Sequence, residues 1–213
     1  MAVTAVVQIS TDGKVSMRRA LALAAAMVMA AAGIILPGSP ALAAEYWGCQ
    51  FSGHNLKWQP AITNSSYSSP AAYAVADWNA ATSHIHLTKA SSGANIRIAD
   101  GRFGATWMGD QFAGITLNSQ ELNPITYSCS YGRWTETMVT WWNRYYTDSY
   151  PATKREAVMV HEIGHALGLW HSPATSSCAD MPIMVDDIYY SYDLCFRFRP
   201  NTDDILGVNH LYP

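Results

Sequence analysis

Residues 161–171 read HEIGHALGLWH, which sets His161 and His165 four apart, His171 six further on, and Gly168 between them. On an α-helix, positions i and i+4 project from the same face, so two imidazoles at that spacing can reach one ion at about 2.0–2.1 Å each. A continued helix would carry residue 171 too far along the axis to share that ion. Gly168 permits the positive φ that turns the chain back, which makes His171 the candidate third ligand. Three neutral imidazoles leave a zinc ion its double charge and one open position for water. Zinc lowers the pKa of such a water toward ~7, and Glu162, beside the first ligand, can take its proton and pass it to a leaving amine. The chemistry implied is metal-assisted amide hydrolysis, and no G-x-S-x-G nucleophile motif competes with it. A bare H-E-x-x-H also occurs in helices whose histidines are only surface or core residues. Gly168, His171 and a downstream Met184 set this segment apart from that background.

The elements that must position these residues come in mixed order, which reads as an α+β fold. Thr153 and Glu156 are spaced as a capping box and predict the start of the motif helix. Along it Ala157, Val160, Gly164 and Leu167 share an apolar face, which leaves His161 and His165 on another. Upstream, Ser69 as N-cap and Pro70 as first helical residue predict a helix with Ala71, Val75, Trp78 and Thr82 on one side. Ile85 and Leu87, then Ile96 and Ile98, alternate with polar residues as half-buried strands do. The glycine-rich stretch 101–114 interrupts the pattern. Ile115 and Leu117 then suggest a short third strand, and residues 138–145 a fourth. A last short helix starts near Asn201 or Thr202, where Asp203 and Asp204 suit the positive helix N-terminus.

Residues 20–36 form an uncharged apolar run preceded by Arg18 and Arg19 and followed by Ala41-Leu42-Ala43, the order of a secretory signal peptide. The expectation is removal of residues 1–43, leaving 44–213 as one domain that is secreted and keeps no stable membrane association; a retained anchor is the competing reading. Loss of Lys14, Arg18, Arg19 and Asp12 takes the formal charge from −3 to −5, which argues against a nucleic-acid partner. Cys49, Cys129, Cys178 and Cys195 contain no C-x-x-C pair, so two disulfides in an oxidising compartment are expected over a cysteine metal site. Three pairings are open. Cys178 with Cys195, which closes a short loop, and Cys49 with Cys129 are favoured.

HEIGHALGLWH resembles the metzincin zinc-binding signature, and Pro182-Ile183-Met184 resembles the Met-turn of that clan, with Met184 beneath the metal. Ser172 after the third histidine, and Asp203-Asp204-Ile205-Leu206-Gly207 through Leu211-Tyr212, are similar to the matrixin branch. Ala76-Asp77-Trp78-Asn79 and Ala94-Asn95-Ile96-Arg97-Ile98 resemble the first helix and a central strand of bacterial matrixin-like proteases. The resemblance implies a twisted five-stranded mixed sheet with two main helices and a small C-terminal subdomain. It also implies one catalytic Zn2+, an edge strand near residues 114–118 that binds substrate backbone, and a monomer acting on proteins or peptides. Residues 185–199 would shape the S1′ pocket.

Departures limit the likeness. No H-x-D segment is found for a second zinc, and His84 and His86 read as a solvated strand face. Structural calcium is possible in the family, with Asp100, Asp110 or Asp180 available, but no calcium-loop spacing supports it. There is no room for a cysteine-switch segment between Ala43 and the domain. Tyr189 and Tyr190 are assigned no catalytic role.

Two rival readings come from other classes. One is a catalytically inactive, zinc-stabilised binding domain, against which Glu162 and the missing fourth protein ligand both argue. The other is a carbohydrate binder, prompted by eight Trp and twelve Tyr, although aromatic residues at this density more often fill a core.

Overall fold

The computed structural model describes residues 44–106, 109–119 and 128–213, so the export-signal reading of residues 1–43 lies outside the described residues. Strands β1 (Asn55–Ala61), β2 (His86–Lys89), β3 (Ile96–Gly101), β4 (Gly114–Asn118) and β7 (Met138–Asn143) build one sheet in the order β2-β1-β3-β7-β4. The first four in that order are parallel, and β4 runs antiparallel to β7 at the edge. Two short strands, β5 (Cys129–Ser130) and β6 (Arg133–Trp134), pair separately. The helices are α1 (Ser68–Ala81), the single turn α2 (Arg144–Thr147), α3 (Ala152–Leu167) and α4 (Thr202–Leu211). This is the expected α+β architecture. Among the described residues no helix is long and apolar enough to cross a membrane.

Strand β1 escapes the sequence reading because Pro60 demotes its Leu56-Lys57-Trp58-Gln59 alternation. The structure explains the proline. Trp58 O accepts from Ala90 N on the β2 side, and alternate residues share a side, so Pro60 faces β2 as well. The β2 register ends at the Trp58–Lys89 pair, and the missing Pro60 donor therefore faces no ladder.

Helix α1 begins earlier than Ser69-Pro70 predicts. Asn64 caps a 3-10 turn at Ser65–Tyr67 that runs straight into the helix, so Pro70 sits inside the first turn, where no N–H is needed. The predicted face is buried, with Ala71, Val75, Trp78 and Thr82 all under 10 % exposed.

The expected capping box of α3 does not form. Pro151 occupies the N-cap without a side-chain bond, while its carbonyl accepts from Lys154 N and Arg155 N. Tertiary partners draw both predicted residues away: the Thr153 hydroxyl bonds Tyr192 Oη at 2.5 Å, and Glu156 bonds Asp77. Nor is α3 amphipathic in its packing, since every residue from Glu156 to Leu167 is buried. Three tryptophans clamp it, with Nε1 of Trp142, Trp78 and Trp134 donating to the carbonyls of Arg155, Val160 and Ala166 at 2.8–2.9 Å. Tryptophan in this chain thus supplies core volume and also satisfies backbone acceptors on the helix that carries the site. On the other sheet face, at the β7–β4 end, Phe112, Ile115 and Leu117 pack with Phe103 and Trp141.

The fourth predicted strand stops at Asn143, whose side chain accepts from Tyr145 N and turns the chain into α2. Both favoured disulfides are present, Cys49–Cys129 and Cys178–Cys195, with Cα separations of 5.9 and 5.0 Å.

Between α1 and α3 the carboxyl groups of Asp77 and Glu156 hydrogen-bond each other, and Arg199 Nε stands 3.0 Å from Asp77 Oδ1. Burial, then the bond to Asp77 and its charge, push Glu156 up to about 7. A folded pKa above the unfolded value means stability that is full at low pH and lost as pH rises through about 7. The thermal midpoint is therefore expected to fall between about pH 5 and 8, and Glu156→Gln to flatten that slope. Thermal melts across this range check it.

Candidate metal centre

Helix α3 presents His161 and His165 one turn apart, and both are essentially inaccessible to solvent. Gly168 ends the helix at φ 110°, and Leu169 N bonds back to Gly164 O at 3.0 Å. A Cβ at residue 168 would collide with the Cys49 carbonyl, so two constraints select glycine here. Beyond the turn, the 169–171 segment runs alongside residues 45–47, with Trp170 N bonding Glu45 O at 2.7 Å and Trp47 N bonding Gly168 O at 2.9 Å. That course brings His171 back to the helix. The candidate ligand atoms of the three histidines all lie within 4.8 Å of one another.

The rings are held in the tautomer a metal needs. His161 Nδ1 donates to Ile183 O at 2.8 Å and His165 Nδ1 to Leu169 O at 2.9 Å. A carbonyl can only accept, so each Nδ1 carries the hydrogen and each Nε2 a lone pair. Those two Nε2 atoms stand 2.9 Å apart. His171 is braced differently, its ring stacked on Trp170 at 4.7 Å, with Trp170 in turn edge-on to Trp47 at 4.1 Å.

Burial keeps all three imidazoles neutral at neutral pH. It pushes His161 down to about 3, aided by His171, and His171 down to about 4, while His165 falls well below its ordinary value. Lone pairs on neutral rings facing each other at 2.9 Å repel, and His171 Nε2 and Glu162 Oε1 are also buried without a protein partner. A single cation resolves the conflict: nitrogens bound to one tetrahedral zinc at 2.0–2.1 Å stand about 3.3 Å apart. The donor set fits a divalent metal with nitrogen preference.

Glu162 is fully buried, and Thr116 Oγ1 donates to its Oε2 at 2.7 Å. Burial raises its carboxyl well above the usual range, and a divalent charge beside it would act in the opposite direction. Met184 is likewise buried, and its Sδ packs where a Cβ on Gly164 would be.

Asp204 carries a role beyond the helix dipole expected of it. Its carboxylate accepts from Ile183 N at 2.9 Å, Met184 N at 3.2 Å and Asn201 N at 2.8 Å. It thereby completes the capping box of α4 and pins the backbone at Ile183 and Met184 in one contact set. Ile183, held through its N–H, orients His161 through its carbonyl, so α4 reaches the first imidazole in two hydrogen-bonded steps. The Asn201-x-x-Asp204 spacing is the signal that identifies this residue in the sequence.

The remaining candidates lie elsewhere. His84 Nδ1 bonds Tyr212 O at 2.6 Å and His86 is exposed on β2. Among the described residues, Asp100, Asp110 and Asp180 form no ligand group, and buried Asp100 accepts from Thr63 N and Oγ1. Tyr189 and Tyr190 are exposed.

A five-stranded mixed sheet, a histidine-bearing helix ended by glycine and a buried methionine packed against that helix together have the metzincin arrangement. A family model described as Matrixin matches residues 55–213, and the chain belongs to that family. Family membership implies dependence on zinc. A solved structure titled "Structure of Myroilysin" is similar at 20 % identity and a TM-score of 0.38, covering 57 % of this chain and 44 % of that one. The chain spans under half of that protein's length, and an overlap of this size assigns it no property.

Proposed function

We propose that this chain is a secreted zinc-dependent endopeptidase in which His161, His165 and His171 hold one zinc, Met184 floors the site and Glu162 is the general base. The observation that carries the reading is the convergence of three neutral, buried imidazole nitrogens beside a buried carboxylate with one oxygen lacking a protein partner. When bound, zinc supplies Lewis acidity that makes water acidic near neutral pH and polarises a scissile carbonyl. The chain supplies the rest. Glu162 takes the proton of the attacking water and returns it to the leaving amine. Strand β4 is the last in the sheet order, and an extended peptide would add beside it as a further strand. The two disulfides suit an oxidising compartment and so support export.

Casein hydrolysis by residues 44–213 tests the reading. Activity is expected to vanish on treatment with a chelator and to return with stoichiometric zinc. Hydrolysis that persists after complete metal removal would contradict it.

A further inference from the structure

Strand alternation gives β4 two working faces. Ile115 and Leu117 pack into the apolar cluster with Phe112 on one side, and Gly114 and Thr116 face α3 on the other. Thr116 is 1 % exposed and sits in register with Thr140 of β7, so the position of its backbone is fixed by the sheet. Its hydroxyl lies 2.7 Å from Glu162 Oε2 and 2.9 Å from the Glu162 main-chain oxygen. Both neighbours accept, and the shorter contact is to the carboxylate, where a charge-assisted bond is the stronger. Two residues earlier, an added Cβ on Gly114 would lie 2.6 Å from Glu162 Oε1 and 2.8 Å from its Cγ. Glu162 Oε1 is the oxygen without a protein partner.

We infer that Thr116 and Gly114 are positioning residues for Glu162: Thr116 holds Oε2, and Gly114 leaves room at Oε1, which is the oxygen that takes the proton. The inference rests on the endopeptidase reading above. It adds a mechanical consequence. The strand that would receive the substrate backbone is the same strand that fixes the base, so peptide and carboxylate share one rigid reference.

The test compares wild type, Thr116→Val, Thr116→Ser, Gly114→Ala and Glu162→Ala on a fluorogenic peptide, with zinc affinity measured by chelator competition. Valine keeps the shape of threonine and removes the donor. Thr116→Val is expected to lower kcat about 10–100-fold while KM and zinc affinity stay within about twofold, and Thr116→Ser to recover most of the rate. Gly114→Ala is expected to lower kcat with zinc retained, and it decides the matter if Thr116→Val does not fold. Wild-type kcat in both Thr116→Val and Gly114→Ala, beside an inactive Glu162→Ala, would overturn the inference and leave the endopeptidase reading standing. So would a Thr116→Val loss that tracks weakened zinc binding and that serine does not rescue. A wild-type chain that cleaves nothing, or Glu162→Ala at full rate, would overturn both.

Discussion

Glu162→Ala is expected to keep its zinc and to lose about 10²–10⁴-fold in kcat/KM, the span a positioned general base contributes. The expectation follows from where the side chain lies and what it does not touch. Glu162 is next to the proposed ligand His161 in sequence, yet its Oε2 is held by Thr116 and its Oε1 lacks a protein partner. Removing it takes no nitrogen from the triad and breaks none of the carbonyl bonds that orient His161 and His165. Metal content should therefore survive while proton transfer is lost. Glu162→Gln separates shape from chemistry, since it fills the same volume without a basic oxygen, and it should be as inactive as the alanine variant. Zinc content and kcat/KM measured on the same preparations check the pair. Full activity in either variant would remove Glu162 from the role of base.

His171→Ala should act in the opposite order, losing metal first and activity as a consequence. His161 and His165 are carried by α3 and oriented by backbone carbonyls, so they remain in place without the third ring. Two imidazoles make a poor zinc site, however. Groups that merely orient a ligand change metal affinity 10–100-fold, so loss of a ligand itself is expected to exceed about 100-fold. Chelator competition measures this directly, and hydrolysis should return only partly at high zinc. Unchanged affinity in His171→Ala would mean that the loop histidine is not a ligand.

Much of this was legible in the residues. The HEIGHALGLWH spacing is a helical geometry written in sequence, and Gly168 marks the turn because few other residues adopt a positive φ. Buried alternation located β3 and β4, and the short 178–195 loop indicated one disulfide pairing. Other features escaped for identifiable reasons. Pro60 hid β1, since its harmlessness depends on where the neighbouring strand ends. Thr153 and Glu156 fit a capping box locally, but partners distant in sequence, Tyr192 and Asp77, claim both side chains. Complete burial of α3 could not be read from its period either, because it arises from packing against α1, β4 and β7, with three tryptophans scattered over the chain bonded to its carbonyls. Thr116 is the instructive case: alternation already puts it opposite Ile115 and Leu117, yet only the fold shows that Glu162 lies on that side.

The most direct measurement is zinc-edge X-ray absorption on the purified chain, read together with elemental analysis. One zinc per chain, with three nitrogen ligands at about 2.0–2.1 Å and one oxygen, is the predicted result, and His171→Ala should lose one nitrogen from that shell. Fully active protein without metal, or a zinc shell unchanged when His171 is removed, would contradict the account.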